Sequence, residues 1–248
     1  MSKKRDLQFQ DNHFTSRSPQ GAGLPQPNNW QEILAQVAYR FNRQYQGEAF
    51  ELPTEVEAMP IFREWAAGTL STRIASRFWE IAQPQKNQRC LDIGCGVSFL
   101  IYPWTEWKAF FYGQEISTVA RDALNARGSQ LNSKLFKGVE LGPAHQLNYE
   151  SAQFDLVLAT GWSCYFPLNY WSAVISEVKR VLKPGGQFVF DILDPLPLAE
   201  DWAVLETYMG AEVFLEPIAE WEKTIKDTGA NVVSRHPGEL FKLYDVRF

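Results

Sequence analysis

The stretch Leu91-Asp92-Ile93-Gly94-Cys95-Gly96-Val97-Ser98 joins an apolar run, a carboxylate and two closely spaced glycines. It reads as a buried strand that passes into a tight turn and then opens a helix. Gly94 and Gly96 lack Cβ, so the backbone can bend sharply there and a ligand can lie directly against it. Alone, such a turn fits a dinucleotide loop, a nucleoside loop or a purely structural bend. Glu115 narrows the choice, because it ends the next apolar run, 21 residues after Gly94. A carboxylate at that distance is placed to accept both hydroxyls of a ribose. Together the loop and Glu115 point to a ligand containing a nucleoside.

Other chemistry is sparse. Of three histidines, His13 lies in a polar stretch, His236 in a Pro-Gly turn and His145 in the loop after the third apolar run. None has the setting of a general base, and no catalytic residue is assigned. Cys90, Cys95 and Cys164 are too few and too scattered for a disulfide framework or a zinc site, and read as small buried hydrophobes. Trp162, Tyr165 and Phe166 follow the fourth apolar run, where doubly wound sheets bind ligands. They form either an aromatic wall for a planar or cationic acceptor or ordinary core, since the chain holds nine tryptophans and seventeen phenylalanines. Trp65, Arg73 and Arg77 on a preceding helix reach the same mouth, or the arginines line a solvated face.

Four segments in this order and spacing resemble the class I S-adenosylmethionine-dependent methyltransferases. Leu91 to Ser98 resembles their first motif, and Gly113-Gln114-Glu115-Ile116-Ser117 their ribose-binding strand end. The segment from Gly142 to Tyr149 with Phe154-Asp155-Leu156-Val157 resembles the adenine side and fourth strand. Leu182-Lys183-Pro184-Gly185-Gly186 with Phe188-Val189-Phe190 resembles the turn and fifth strand. The likeness covers residues 88 to 192. It implies a Rossmann-like α/β fold with a seven-stranded, mostly parallel sheet and helices on both faces. It also implies S-adenosyl-L-methionine as cofactor. Asp92 and the backbone of Gly94, Cys95 and Gly96 would surround the methionine part. Glu115 would hold the ribose, Ile116 would pack on adenine, and Ala144 and His145 would border it. Ala159, Thr160 and Gly161 would line the floor beside the sulfonium, with Trp65, Trp162, Tyr165 and Phe166 facing the acceptor.

This chain departs from the pattern twice. Ser98 stands where a third glycine is common, and Pro143 where many relatives carry an aspartate that bonds the adenine amino group. Proline offers neither that acceptor nor an N–H, which leaves adenine recognition to neighbouring backbone. Methyl transfer is an in-line displacement with a leaving group already activated by positive sulfur, so alignment and desolvation supply much of the rate and no metal is required. The Asp/Asn-Pro-Pro-aromatic motif of base-amine and glutamine methylators is absent after the fourth run, where the chain reads Thr160-Gly161-Trp162-Ser163.

These residues need a scaffold. Residues 1–28 are polar, rich in Gln, Asn, Ser, Gly and Pro, and read as a flexible arm. Residues 29–85 read as a helical cap. Asn29 to Glu32 forms a capping box, followed by an apolar stripe at Trp30, Ile33, Leu34, Val37, Phe41 and Tyr45. A second helix from Pro60 carries Ile61, Trp65, Leu70, Ile74, Phe78 and Ile81 and ends before Pro84. Residues 86–248 read as the cofactor-binding domain, since strand-length apolar runs then alternate with helices. The strands are expected at 90–93, 109–115, 135–139, 154–160 and 187–192. Ser117 caps a helix that Gly128 stops, another helix runs from 170 to 182, and Pro184-Gly185-Gly186 turns the chain. The tail predicts a helix over 199–208, a short strand over 212–215, a helix from Ile218 to Gly229 and a hairpin turning at His236-Pro237-Gly238.

At 248 residues, 45% hydrophobic and 21% charged, the chain has ordinary globular composition. No apolar run reaches the roughly 18 residues that span a bilayer, and no signal-peptide core follows the basic N-terminus. The expected address is the cytoplasm. A net charge of -5 argues against a broad nucleic-acid surface, leaving a small-molecule acceptor as the expected partner. The rival readings are an NAD(P)-dependent oxidoreductase and a non-catalytic nucleoside-binding module. Phe99 stands where a dinucleotide fingerprint has its third glycine, and no Tyr-x-x-x-Lys pair stands out, which counts against the first.

Overall fold

The computed structural model describes residues 28–75, 77–132, 134–195 and 197–248. The arm expected over residues 1–28 lies outside the described residues except for Asn28, which opens helix α1 (Asn28–Gln46). Asn29 therefore sits within the first turn of α1 rather than capping it. Next come α2 (Thr54–Glu57), α3 (Pro60–Ala66), α4 (Leu70–Ile74) and α5 (Trp79–Ala82). The single helix expected from Pro60 to Pro84 is thus three short ones. Gly68 takes a positive φ of 71° between α3 and α4, and Ala75 turns extended after α4, with φ -60° and ψ 128°. The apolar stripe survives the breaks, because Ile61, Leu70 and Phe78 are all buried.

The sheet contains β1 (Arg89–Ile93), β2 (Phe110–Glu115), β3 (Phe136–Leu141), β4 (Phe154–Ala159), β5 (Leu182–Leu193), β6 (Asn231–His236) and β7 (Phe241–Arg247). Its order is β3-β2-β1-β4-β5-β7-β6. Strands β1 to β5 run parallel, and β7 is antiparallel to β5 and β6. The central strands are almost continuously apolar because helices cover both faces. Leu91, Val157 and Phe190 pack toward one layer with Trp171, Val174 and Ile175. Cys90, Leu156, Leu158 and Val189 face the other layer with Phe99 and Phe111. Each such side chain taken out of water contributes roughly 1.5–3 kcal/mol. All three cysteines are free and buried.

Helices α6 (Trp104–Trp107), α7 (Thr118–Ala126), α8 (Leu168–Val181), α9 (Pro197–Met209) and α10 (Ile218–Asp227) complete the layers. Ser117 caps α7 by accepting the Ala120 N–H at 3.1 Å, which satisfies one of the orphan donors of the first turn. Pro184-Gly185-Gly186 forms a bulge inside β5, between the pairs Phe154–Leu182 and Leu156–Gln187. Residues 212–215 form no strand; the Phe214 N–H donates to the Cys164 carbonyl at 2.7 Å instead. No helix among the described residues is long and apolar enough to cross a membrane.

Strand order reverses beside β1, where β2 lies on one side and β4 on the other. In open α/β sheets a crevice forms at the carboxyl ends of the strands at such a switch point. Helix α1 lies over it and is tied to the sheet layer at two places. The Asn42 side-chain oxygen accepts from the Ser117 hydroxyl at 2.7 Å and from the Val119 N–H at 3.3 Å. The Arg40 guanidinium bonds both carboxylate oxygens of Glu206 on α9, at 3.1 and 3.2 Å.

Candidate active site

Two neighbouring cavities open at the carboxyl ends of β1, β2 and β4. The smaller, about 240 Å³, is lined by Gly94 to Ser98, by Gln114, Glu115 and Ile116, by Gly142 and Ala144, and by Thr160, Gly161 and Trp162. Val37, Phe41 and Tyr45 of α1 and Phe166 and Tyr170 near the start of α8 complete it. Phe41, Ser98, Thr160 and Gly161 also line the second cavity, about 790 Å³, so the two share a border.

The glycine loop is shaped for close approach. Gly94 and Gly96 take φ of +66° and +49°, a region that side chains with Cβ avoid. A Cβ on Gly94 would lie 2.7 Å from the Trp162 indole, whose Nε1–H donates to the Ile93 carbonyl at 2.8 Å. A Cβ on Gly96 would meet the Tyr45 hydroxyl. Glu115 stands beside the loop, buried, and accepts the Gly96 N–H on one oxygen at 2.8 Å and the Ser117 N–H on the other at 2.9 Å. Burial raises its pKa above the usual carboxylate range, opposed by those backbone donors. An ionised carboxylate has about four acceptor positions, so each oxygen keeps one for a further donor such as a ribose hydroxyl.

Pro143 provides a carbonyl in place of an acid. The Gln114 side-chain N–H₂ donates to the carbonyls of Pro143 and Gln146 at 2.7 and 2.9 Å, and its oxygen accepts the Asn148 N–H at 3.0 Å. That network fixes the loop carrying Gly142 and Ala144 against the strand end. Across the cavity, the Gly161 N–H donates to both oxygens of buried Asp191, at 2.8 and 2.9 Å.

The residues singled out in the sequence divide accordingly. Gly94, Cys95, Gly96, Glu115, Ile116, Ala144, Thr160 and Gly161 line the smaller cavity. Asp92, Ala159 and His145 do not. Asp92 and Ala159 lie within buried strands, and Asp92 accepts a hydrogen bond from the Tyr102 hydroxyl. The His145 ring packs edge-on against Trp30 and Tyr170, with centroids 5.3 and 5.1 Å away, and burial lowers its pKa. The three aromatics after β4 do not make one wall: Trp162 and Phe166 line the smaller cavity, and Tyr165 joins Trp65 in the larger. Arg73 pairs with Glu64 and Glu239, and Arg77 with Glu80 at 3.0 Å, so both serve surface ion pairs.

Several lining residues carried no chemical signal in the sequence. Phe41 and Tyr45 read only as a helix stripe. Phe78, Trp79, Tyr102 and Trp107, from α5, α6 and the flanking turns, join Trp65 in giving the larger cavity an aromatic lining. Its polar end is the Arg40–Glu206 pair, each about 1% exposed. Gln44 accepts from Arg40 at 2.7 Å. Burial outweighs Arg40 and pushes the Glu206 pKa up.

Residues 91–190 match the family model described as a methyltransferase domain. The sterol 4-C-methyltransferase strm-1 of Caenorhabditis elegans is 28% identical over 109 residues, 44% of this chain and 32% of that protein. The tRNA U34 carboxymethyltransferase of Hydrogenovibrio crunogenus is 28% identical over 152 residues, 57% of this chain and 42% of that protein. The matches thus span less than half the length of these curated relatives. Among solved structures, geranyl diphosphate C-methyltransferase from Streptomyces coelicolor, in complex with Mg²⁺, geranyl diphosphate and S-adenosyl-L-homocysteine, aligns at a TM-score of 0.60 and 12% identity. That alignment covers 87% of this chain and 98% of the other. The residues present suit S-adenosylmethionine: a tight turn with two glycines at positive φ, a buried carboxylate with acceptor positions to spare, and an apolar slot at Ile116, Gly142 and Ala144.

Proposed function

We propose that this chain methylates a small-molecule acceptor, with S-adenosylmethionine in the smaller cavity and the acceptor in the larger. The carrying observation is the shared border at Phe41, Ser98, Thr160 and Gly161, which joins a cavity built on the glycine loop and Glu115 to an aromatic chamber. Glu115 would accept the ribose hydroxyls, Ile116, Gly142 and Ala144 would hold adenine, and the backbone of 94–98 with Gly161 would hold the amino-acid end. When bound, the cofactor supplies a methyl group on positively charged sulfur. The protein's part is to align the acceptor with it and keep water out. We also infer that residues 29–85 act as a cap, since Val37, Phe41 and Tyr45 roof one cavity and Trp65 lines the other. With no spanning helix among the described residues and a net charge of -5, we place the protein in the cytoplasm acting on a small molecule rather than on nucleic acid.

The test is thermal unfolding with S-adenosylmethionine, S-adenosylhomocysteine, NAD or NADP added separately. A ligand at 100 times its Kd stabilises the fold by roughly 2.7 kcal/mol, which raises the midpoint by about 5 °C for a chain of this length. A shift with the adenosyl ligands alone supports the reading. A shift with the nicotinamides alone, or with none of the four, refutes it. Steep loss of RNA binding with added salt would move the acceptor to nucleic acid.

A further inference from the structure

We propose that Ser98, Tyr102 and Asp92 form a relay that takes up the proton released when an O–H or N–H acceptor is methylated. This rests on the two-cavity reading above and adds to it the kind of acceptor. Asp92 lies on β1 at the centre of the sheet, 3% exposed, and lines neither cavity. Its carboxylate accepts a hydrogen bond from the Tyr102 hydroxyl. Tyr102 lines the acceptor chamber, so one hydrogen bond connects that chamber to a buried anion. Ser98 lies four residues earlier and borders both cavities, with its hydroxyl near enough to the Tyr102 oxygen to oppose the rise that burial gives that phenol's pKa. The Tyr102 hydroxyl donates toward Asp92, with the Ser98 hydroxyl beside it. The chain ends on a group that can only accept. A hydroxyl or N–H in the chamber completes it by donating to Ser98 or directly to Tyr102.

Burying a carboxylate against an apolar sheet is costly unless it is bonded, and pinning Tyr102 in place is one use of the pair. The relay assigns it a second. As the acceptor's heteroatom bonds to the methyl carbon, the carbon–sulfur bond breaks and its electron pair stays on sulfur. The acceptor's proton passes to the Tyr102 oxygen, directly or through the Ser98 hydroxyl, while the Tyr102 proton passes to Asp92. The acceptor ends neutral and methylated, Tyr102 is unchanged, and Asp92 holds one proton, which returns to solvent after product leaves. Burial pushes the Asp92 pKa up to about 7, with Tyr102 opposing and Glu115 of β2 adding to the rise. The other titratable neighbours are the thiols of Cys90 and Cys95, whose pKa values are raised by burial and by the Asp92 charge, so they stay protonated. A base with that pKa is matched to work near neutrality. The chamber's walls of Phe41, Trp65, Phe78, Trp79 and Trp107 fit a flat apolar body. The acceptor class is therefore an aromatic or polycyclic molecule bearing a hydroxyl or a ring N–H.

The probe is 2-naphthol, a flat phenol that becomes a strong acid when excited and whose anion emits at longer wavelength. It is bound to the protein saturated with S-adenosylhomocysteine and excited beyond the tryptophan band. The expected result is anion emission from the bound probe that grows as pH rises through about 7, where Asp92 ionises. Tyr102→Phe keeps the ring packing and Asp92→Asn keeps the shape. Each should retain naphthol binding yet lower anion emission by about tenfold or more and flatten its pH profile. Ser98→Ala, which removes only a hydroxyl at the cavity border, provides a variant whose folding is not at issue and should lower the emission in part. Binding with emission that none of the three variants alters overturns the relay and leaves the methyltransferase reading standing. Failure of naphthol to bind overturns the acceptor class. Failure of S-adenosylhomocysteine itself to bind overturns the parent reading and the relay with it.

Discussion

Arg40 and Glu206 are each about 1% exposed and join α1 to α9 by two hydrogen bonds of 3.1 and 3.2 Å. Removing one partner leaves a buried charge with no counter-ion, which costs about 3–5 kcal/mol, whereas replacing both with apolar side chains of similar volume is near neutral. The residual partners are uncharged apart from the pair itself: Gln44 and the Met209 sulfur accept from Arg40 at 2.7 and 3.5 Å, the Phe41 and Phe50 rings lie 5.1 and 4.9 Å from its guanidinium carbon, and Tyr165 lies beside Glu206. Arg40→Met and Glu206→Leu should each lower the melting midpoint by about 6–10 °C, at about 2 °C per kcal/mol for this length. The double variant should melt within about 4 °C of the parent. Urea unfolding of the four proteins gives the coupling energy, expected at about 2 kcal/mol or more. Single losses that simply add in the double variant would refute the reasoning, because the two side chains would then act independently.

Other perturbations follow from the site. Glu115→Ala should cut affinity for S-adenosylhomocysteine by at least about tenfold through loss of charge-assisted hydrogen bonds, read by calorimetry on a protein whose circular dichroism is unchanged; equal affinity would remove the ribose assignment. Gly94→Ala should destabilise by about 2–4 kcal/mol, since a positive φ of 66° is combined with a 2.7 Å approach to Trp162. Gly161→Ala has a φ of 81° and open space around its Cβ, so about 1–2 kcal/mol is expected; equal losses for the two would show that Trp162 does not press on the loop. For Asp92 the folded-state pKa is raised, to about 7 from 3.8. Its contribution to stability is therefore complete below about pH 4 and is lost as pH climbs to 7. Asp92→Asn should gain on the parent over that window by up to about 4 kcal/mol, and a constant difference in melting midpoint between pH 4 and 8 would refute the shift.

The sheet was legible because central parallel strands announce themselves as short apolar runs, and five of them were found within a residue or two at most ends. Leu182 was the exception, since Pro184-Gly185-Gly186 reads as a turn but forms a bulge that keeps Leu182 paired with Phe154. Periodicity failed between Pro60 and Pro84, where the stripe continues across backbone that leaves the helical region at Gly68 and Ala75. The glycine loop and Glu115 were readable because their chemistry is local in sequence. The larger cavity was legible only in part, at Trp65 and Tyr165. Arg40, Tyr102, Trp107 and Glu206 come from four further segments, and only tertiary packing brings them together. Asp92 shows the same limit from the other side: its position in the motif implied a place beside the cofactor, while the direction of its side chain in the folded chain joins it to Tyr102.

Asn42 accepts from the Ser117 hydroxyl and the Val119 N–H, while the Ser117 N–H donates to Glu115. Three consecutive hydrogen-bonding groups, Glu115, Ser117 and Asn42, thus lead from the rim of the smaller cavity to the middle of α1. In thermodynamic terms, the seating of α1 and the occupancy of the smaller cavity are linked functions. Any free energy by which a seated α1 tightens a ligand is returned as added stability of α1 when the ligand is bound. The backbone amides of α1 then become a reporter of saturation: their exchange with deuterium slows as the cavity fills, at a distance from the ligand itself.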